Sequence, residues 1–488
     1  MAQSVRSSLL NGVKWNLIER ILLQGVGFFI GIILARLLSP SDYGLIGMLA
    51  IFTAISQTLI DSGFTRSLIQ KKNCESIDYS TAFVTNVGMS LVLYGILFFC
   101  APLIASFYNE PILIPLTRVV SLNFVLGSFN IVQRARLQSK VDFKSLAKVN
   151  VTASTLSGIT GVIMAYMGFG VWALVFQTLC SSIVTMLLLP FFSKWHPSVR
   201  FSTTSFKALW KFGSKLLATG TMAIIMNNIS TICIGKVYMS NQLGFFTRAQ
   251  SFPQMVSDTV YQVLGNVTFP VLSKLQDDRE HLVSVYRQSL YHTALLIFPV
   301  MVLLTVLAKP LVIVLLTEKW LGSVVMMQWL FMARMFTPLS ALNMNILNAI
   351  GRSDLFMKVD FSKIPLMLIM LAITTPIGVK AIAIGMFVHT FICFFINSYL
   401  PGRLFGYGAW QQIKDWKWII LSTIIMAIVV GLYCVFFENN YVLLIGGGVV
   451  GVSVYVACCL AFKMIDKETL DSVLVALKIK KTKTIRTK

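Results

Sequence analysis

FGVWALVFQTLCSSIVTMLLLPFF (Phe169–Phe192) contains no charged residue, and it is echoed later in the chain by IGVKAIAIGMFVHTFICFFINSYLPG (Ile377–Gly402). Either stretch can cross the hydrocarbon core of a bilayer as a helix, which takes about 20 apolar residues. The offset between the copies, roughly 208 to 210 residues, recurs at other places in the chain. FFCAPLIASFYNEP (Phe98–Pro111) is echoed by VLAKPLVIVLLTEKW (Val306–Trp320), and KVNV (Lys148–Val151) by KVDF (Lys358–Phe361). A duplication written in apolar helices is the arrangement from which many transporters are built.

Composition points the same way. Hydrophobic residues make up 56% of the 488 and charged residues 12%, with a mean hydropathy of +0.77, against about 45–50% and about 25% in soluble domains. A soluble fold of this composition would have to surface itself with apolar side chains. Runs of about 20 apolar residues fall at 15–37, 43–62, 79–104, 112–133, 146–167, 170–192, 213–235, 250–272, 287–308, 323–349, 359–376, 379–400, 417–437 and 440–462. They are too continuous, and alternate too weakly, for a membrane β-barrel. The expected fold is therefore all-α, a polytopic membrane protein of about fourteen transmembrane helices: two pseudo-symmetric six-helix bundles plus two C-terminal helices. The expected divisions are 1–202, 203–403, 404–463 and a basic tail, 464–488.

The net charge of +22 is distributed by side. With a cytoplasmic N-terminus, inward loops hold clusters such as Arg66, Lys71 and Lys72, then Arg134, Arg136, Lys140, Lys144 and Lys148, then Lys194, Arg200, Lys207 and Lys211. With the tail included, cations of the inward side outnumber those of the other by roughly four to one, which places both termini in the cytoplasm. The excess sets topology and touches anionic lipid, so nucleic-acid binding is not expected. The tail, ending KIKKTKTIRTK, reads as an interfacial basic segment or a docking site for a partner protein.

No catalytic pattern accompanies the helices. The eight cysteines form no CxxC, the four histidines have no metal-ligand spacing, and there is no Walker A loop or GxSxG. The expectation is a protein that is not an enzyme and takes neither cofactor nor metal. His292 and His389, inside expected spans, are either packing residues or proton carriers.

What remains is charge inside hydrocarbon, which normally faces a bundle interior or a water-filled cavity. Arg118, Arg334, Lys215, Glu19, Arg20, Lys363 and Asp258 lie within expected spans, and Arg248 lies at the outer end of one. Cations outnumber acids, so a cavity that they line attracts an anion. Lys215, Lys363 and Arg20 are near enough to an interface to snorkel. Asp258 is the candidate ion-coupling group, or else a structural partner for a cation.

IILARLLSPSDYGLIGMLAIFTAISQTLIDSGF (Ile32–Phe64), LGFFTRAQSFPQM (Leu243–Met255) and VLGNVTFPVLSKLQDDRE (Val263–Glu280) resemble bacterial polysaccharide exporters, the Wzx-type flippases of the multidrug/oligosaccharidyl-lipid/polysaccharide superfamily. The resemblance implies two six-helix bundles and alternating access in the cytoplasmic (inner) membrane. It implies an oligosaccharide repeat unit on undecaprenyl pyrophosphate as the substrate, and a polysaccharide polymerase and chain-length regulator as partners. Arg248 matches an arginine position of the family. The substrate-contact candidates are then Arg248, Arg334, Arg118, Arg20 and Lys215, since arginine suits multiply charged phosphate. A drug/cation antiporter of the same superfamily and a membrane-bound glycan-assembly enzyme are the alternatives.

Overall fold

The protein is described by a computed structural model that covers the backbone of residues 2–464 except 62, 63, 72, 73 and 196, with the side chains of most of these. The tail from 465 onward and His196 lie outside the described residues. Every element described is a helix. In chain order these are α1 (Ala2–Leu37), α2 (Pro40–Asp61), α3 (Phe64–Gln70), α4 (Ser76–Tyr108), α5 (Leu113–Ser139), α6 (Phe143–Tyr166), α7 (Val171–Ser193) and α8 (Thr203–Lys274). There follow α9 (Arg279–Val306), α10 (Ala308–Leu316), a short 3-10 turn, α11 (Val324–Arg334), α12 (Thr337–Ala349), α13 (Ser353–Ser362) and α14 (Ile364–Thr374). The last are α15 (Val379–Phe405), α16 (Ala409–Asp415), α17 (Lys417–Phe436) and α18 (Asn440–Ala461).

Among the described residues, eleven helices are long and apolar enough to cross a membrane. The difference from the fourteen expected runs has physical causes. α8 is one continuous entity only in name, because Met239 (φ 64°, ψ 177°) breaks it into arms 203–238 and 240–274. That conformation is close to glycine-only territory and costs of order 1–3 kcal/mol. The expected runs 323–349 and 359–376 are each divided into two shorter helices, with Pro338 and Pro365 at the starts of α12 and α14.

The chain forms two compact units, Met1–Thr247 and Arg248–Lys488. The division falls later than the repeat boundary near 203, because the first arm of α8 packs into the first unit, with Gly235 against Tyr108 and Met48. In the first unit α4 pairs with α5, and α5 with α7; in the second α9 pairs with α11, and α11 with α15. These are the segments that the repeat equates. Outward faces carry Phe99, Leu103, Ile163, Phe191, Ile428 and Ile445, all largely exposed, while Ser80, Thr81, Asn86, Ser90 and Ser128 are buried. Apolar outside with small and polar inside is the packing of helices whose solvent is lipid.

Proline supplies much of the cross-helix bonding. A proline inside a helix has no N–H for the carbonyl four residues back, and neighbouring groups must satisfy it. Pro102 frees the Phe98 carbonyl, which accepts from Arg118 Nε at 3.4 Å. Pro299 frees that of Leu295, which accepts from Tyr455 Oη on α18 at 2.8 Å. Pro338 frees that of Arg334, which accepts from Ser257 Oγ on α8 at 3.2 Å.

A polar knot ties α9, α12, α15 and α16. Tyr286, Asn343, Ser398 and Gln412 are fully buried. Tyr286 donates to Asn343 Oδ1, Asn343 Nδ2 donates to Ser398 Oγ at 2.8 Å, and Gln412 Nε2 donates to Asn343 Oδ1 at 2.9 Å. Beside it Arg287 grips Asp415 through two bonds of 2.6 and 2.8 Å, and Tyr407 donates to the same carboxylate at 2.7 Å. Arg287 is thus a clamp on α16. Asn343→Leu takes a hydrogen bond from each of three buried groups; Ser398 keeps the Phe394 carbonyl and Gln412 the Tyr407 carbonyl, while the Tyr286 hydroxyl loses its acceptor, at about 1–3 kcal/mol. It should lower the thermal midpoint of the purified protein by several degrees, read by intrinsic tryptophan fluorescence, since Trp416 lies next to α16. An unchanged midpoint would mean that the knot contributes nothing to stability.

Candidate functional site

The start of α2 shows how local sequence sets site geometry. Ser39 caps the helix and Pro40 takes its first position, where a missing N–H costs nothing. Asp42 accepts from Ser39 N at 2.8 Å and from Ser39 Oγ at 2.6 Å, and donates its own N–H to Ser39 Oγ at 3.3 Å. One turn on, Gly44 lies on the backbone of Ser240, where a Cβ would meet the Ser240 carbonyl oxygen at 1.7 Å. Gly244 lies in the same way on the backbone of Pro40, also at 1.7 Å. The start of α2 and the start of the second arm of α8 therefore cross backbone to backbone, each through a glycine. Ser240 Oγ sits 2.9 Å from Ser41 Oγ and donates to Glu110 Oε1 at 2.8 Å. The break at Met239 is what turns Ser240 toward this crossing.

The second arm of α8 carries two of the candidate residues. Arg248 is half-buried, between the fully buried Phe246 and Ala249. Asp258 lies beyond it on the same helix, next to Ser257, which is fully buried. Ser257 holds the Arg334 carbonyl, so the Asp258 carboxylate acts electrostatically on the Arg334 guanidinium. No ion pair within 4 Å joins the two side chains among the described residues. Arg334 is the last residue of α11, at the break before α12. Discontinuous helices of this kind place unbonded backbone and charge at the binding sites of transporters.

Arg118 is differently placed. Its guanidinium lies 4.3 Å from the centroid of the Phe98 ring as well as bonding the Phe98 carbonyl. In the second copy Gln328 Nε2 donates to the Thr305 carbonyl at 3.2 Å, one helical turn before Pro310. The two bonds are similar but not equivalent: Phe98 and Thr305 are 207 residues apart, and the carbonyl four residues before Pro310 is that of Val306. Arg20 is half-buried on α1 beside Glu19, whose carboxylate accepts from Asn150 Nδ2 at 2.6 Å. Lys363 pairs with Asp360 at 2.6 Å. The Lys215 side chain lies outside the described residues. His389 packs its Nε2 3.4 Å from Cys393 Sγ, and His292 Nδ1 lies 2.9 Å from the Gln288 carbonyl.

One residue was missed by sequence reading. Arg134, assigned to an inward loop, lies inside α5, half-buried and within electrostatic reach of Glu19. The available signal was helical continuity: no glycine or proline interrupts 128–139, and Ala135 and Leu137 are buried on either side of Arg136. Among the described residues, no cluster of three or more His, Cys, Asp or Glu could hold a metal.

Comparison with known proteins bears on this arrangement. Residues 33–325 match the sequence model of a family described as polysaccharide biosynthesis protein. The chain is 26% identical over 363 residues to the lipopolysaccharide biosynthesis protein WzxC of Escherichia coli (strain K12), covering 74% of each chain. It is 23% identical over 354 residues to the teichuronic acid biosynthesis protein TuaB of Bacillus subtilis (strain 168), covering 72% of this chain and 73% of that one. Among solved structures it superposes on a lipid II flippase, MurJ, in an inward closed conformation. The TM-score is 0.72 at 18% identity, over 92% of this chain and 98% of that one. An inward-facing multidrug resistance MATE family transporter of the MOP superfamily superposes with a TM-score of 0.61 at 18% identity, over 78% and 93% of the two chains.

Proposed function

The chain belongs to the polysaccharide biosynthesis protein family, and from that membership we propose that it is a flippase moving undecaprenyl-pyrophosphate-linked oligosaccharide repeat units across the cytoplasmic membrane. The observation that carries the reading is Arg334, a half-buried cation at the break between α11 and α12, facing Asp258 from a helix that also carries Arg248. A pyrophosphate is the part of such a substrate that an embedded arginine recognises, through planar, bidentate donation. The protein moves it by alternating access, with both termini cytoplasmic, and delivers it to a polymerase and chain-length regulator. Arg20 and Lys215 assist from α1 and the first arm of α8. Arg118 is the least available of the candidates, because its guanidinium is engaged with Phe98. A drug/cation antiporter would need acids in excess at its site, and here the cations exceed them.

The direct test is reconstitution of the purified protein in vesicles with a labelled lipid-linked oligosaccharide, scoring transfer between leaflets. Turnover of the oligosaccharide without transfer would favour an assembly enzyme and defeat the proposal. In the same vesicles Asp258 provides the coupling. An embedded carboxylate that gains or loses charge shifts the balance between two states of the surrounding helices. Wild-type transfer should respond to an imposed proton or sodium gradient, and Asp258→Asn should abolish the response while retaining downhill transfer. Equal insensitivity of both proteins to either gradient removes Asp258 from that role.

A further inference from the structure

A second site lies on the lipid-facing side of the first unit. α1, α6 and α7 enclose a crevice of about 430 Å³, within the range of about 300–1,000 Å³ typical of ligand sites. Its walls are apolar: Ile18 and Leu22 from α1, Val151 from α6, and Leu188 and Phe192 from α7. Its neighbours Ile21, Leu187 and Phe191 are 70%, 57% and 78% exposed, as side chains that meet hydrocarbon are. The crevice therefore opens onto lipid, and its occupant arrives through the bilayer.

One end is basic. Lys148 lines the crevice, and none of the ten lining residues is acidic. Lys144, one turn earlier on α6, holds its ammonium 5.5 Å from the centroid of the Trp15 ring, which also lines the crevice. Two acids lie close by in the chain and both are engaged: Glu19 accepts from Asn150, and Asp142, the cap of α6, accepts from the Ser145 N–H and hydroxyl. Trp15 precedes the apolar span that begins at Ile18, Lys144 and Lys148 lie in the opening turns of α6, and Phe192 is the penultimate residue of α7. All of them lie at one end of their apolar spans, where headgroups meet hydrocarbon. Tryptophan and snorkelling lysine are the side chains suited to that depth.

We propose that this crevice binds one anionic phospholipid of the surrounding leaflet. An acyl chain lies along Leu22, Val151 and Leu188, and the phosphodiester is held by Lys148 and Lys144 beside Trp15. The site needs nothing from the transport reading and stands or falls independently of it.

Quenching of Trp15 fluorescence by lipids brominated on the acyl chain tests the assignment. The full-length protein is placed in nanodiscs of unlabelled zwitterionic lipid doped with brominated phosphatidylglycerol or brominated phosphatidylcholine, and the Trp15→Phe variant is subtracted. Brominated phosphatidylglycerol should quench at a markedly lower mole fraction. Lys144→Ala and Lys148→Ala should each reduce that preference by about fivefold, the factor expected for one basic residue at an anionic membrane surface. Val151→Trp, which fills the crevice, should reduce quenching by both lipids and leave the lysines in place. Equal quenching by the two lipids in the wild-type protein, or an undiminished preference without both lysines, overturns the proposal. So does displacement of brominated phosphatidylglycerol by an equimolar amount of undecaprenyl phosphate, which would assign the crevice to the carrier lipid.

Discussion

Arg334→Ala and Arg248→Ala are each expected to abolish surface polysaccharide in cells that depend on this protein, with the amount of inserted protein unchanged. Arg118→Gln should leave output within about twofold of wild type. The contrast follows from what each side chain does. The Arg334 carbonyl is bonded by Ser257 independently of the Arg334 side chain, so truncation to alanine leaves the helix break as it is. What is lost is the guanidinium beside Asp258. Losing a desolvated, charge-assisted contact from that guanidinium to the substrate's pyrophosphate would cost about 2–5 kcal/mol, or about thirtyfold in binding at the lower limit. Arg248, on the same helix as Asp258, is predicted to follow it. Arg118 is another case: its Nε braces the carbonyl freed by Pro102, a single hydrogen bond that a glutamine amide can also donate. Polymer output measured by surface-glycan staining, normalised to membrane-inserted protein, distinguishes these outcomes. Normal output from both alanine variants would falsify the cationic-site reading, and loss of output from Arg118→Gln would return that residue to the substrate.

Gly244→Leu and Gly44→Leu should each reduce output by an order of magnitude or more and lower the thermal midpoint, while Gly25→Ala should do neither. At Gly44 and Gly244 a Cβ would stand 1.7 Å from a backbone carbonyl oxygen of the crossing segment, whereas Gly25 has nothing within 4 Å. Ordinary contact between such atoms needs about 3.5 Å, so any side chain must push the two backbones apart. That separation breaks the Ser41–Ser240 and Ser240–Glu110 hydrogen bonds. It also moves the start of the second arm of α8, and with it the helix carrying Arg248 and Asp258. Alanine at either glycine should be intermediate. Full output and an unshifted midpoint from Gly244→Leu would show that the crossing is dispensable.

Much of this was legible in the chain because membrane helices report themselves by length and hydropathy alone. The spans, the duplication and the glycine-bearing SPSDYG and LGFFTRA stretches needed no coordinates. Breaks were less legible. Pro338 was visible, but whether proline bends, divides or merely starts a helix depends on the partner that takes the freed carbonyl. The position of Met239 carried no signal at all, since an unbranched residue in a positive-φ break defies its own propensity. Arg134 was read as a loop cation because a charge cluster and a helix end look alike until burial is known. Asn343 is one of several asparagines in α12, and only packing distinguishes the one at the centre of the knot.

Sequence by itself determined that this is a helical, multi-pass membrane protein, because the requirement to span hydrocarbon acts on every residue of a span. It also located charges inside the expected spans, because each departs from that requirement, though not Arg134 at a span's end. Tertiary structure alone decided where those charges sit and what surrounds them. It engaged Arg118 with Phe98, set Arg334 at a helix break within electrostatic reach of Asp258, and brought the half-buried Arg134 within reach of Glu19. Each of these depends on which helix lies alongside, a relation that hydropathy does not encode.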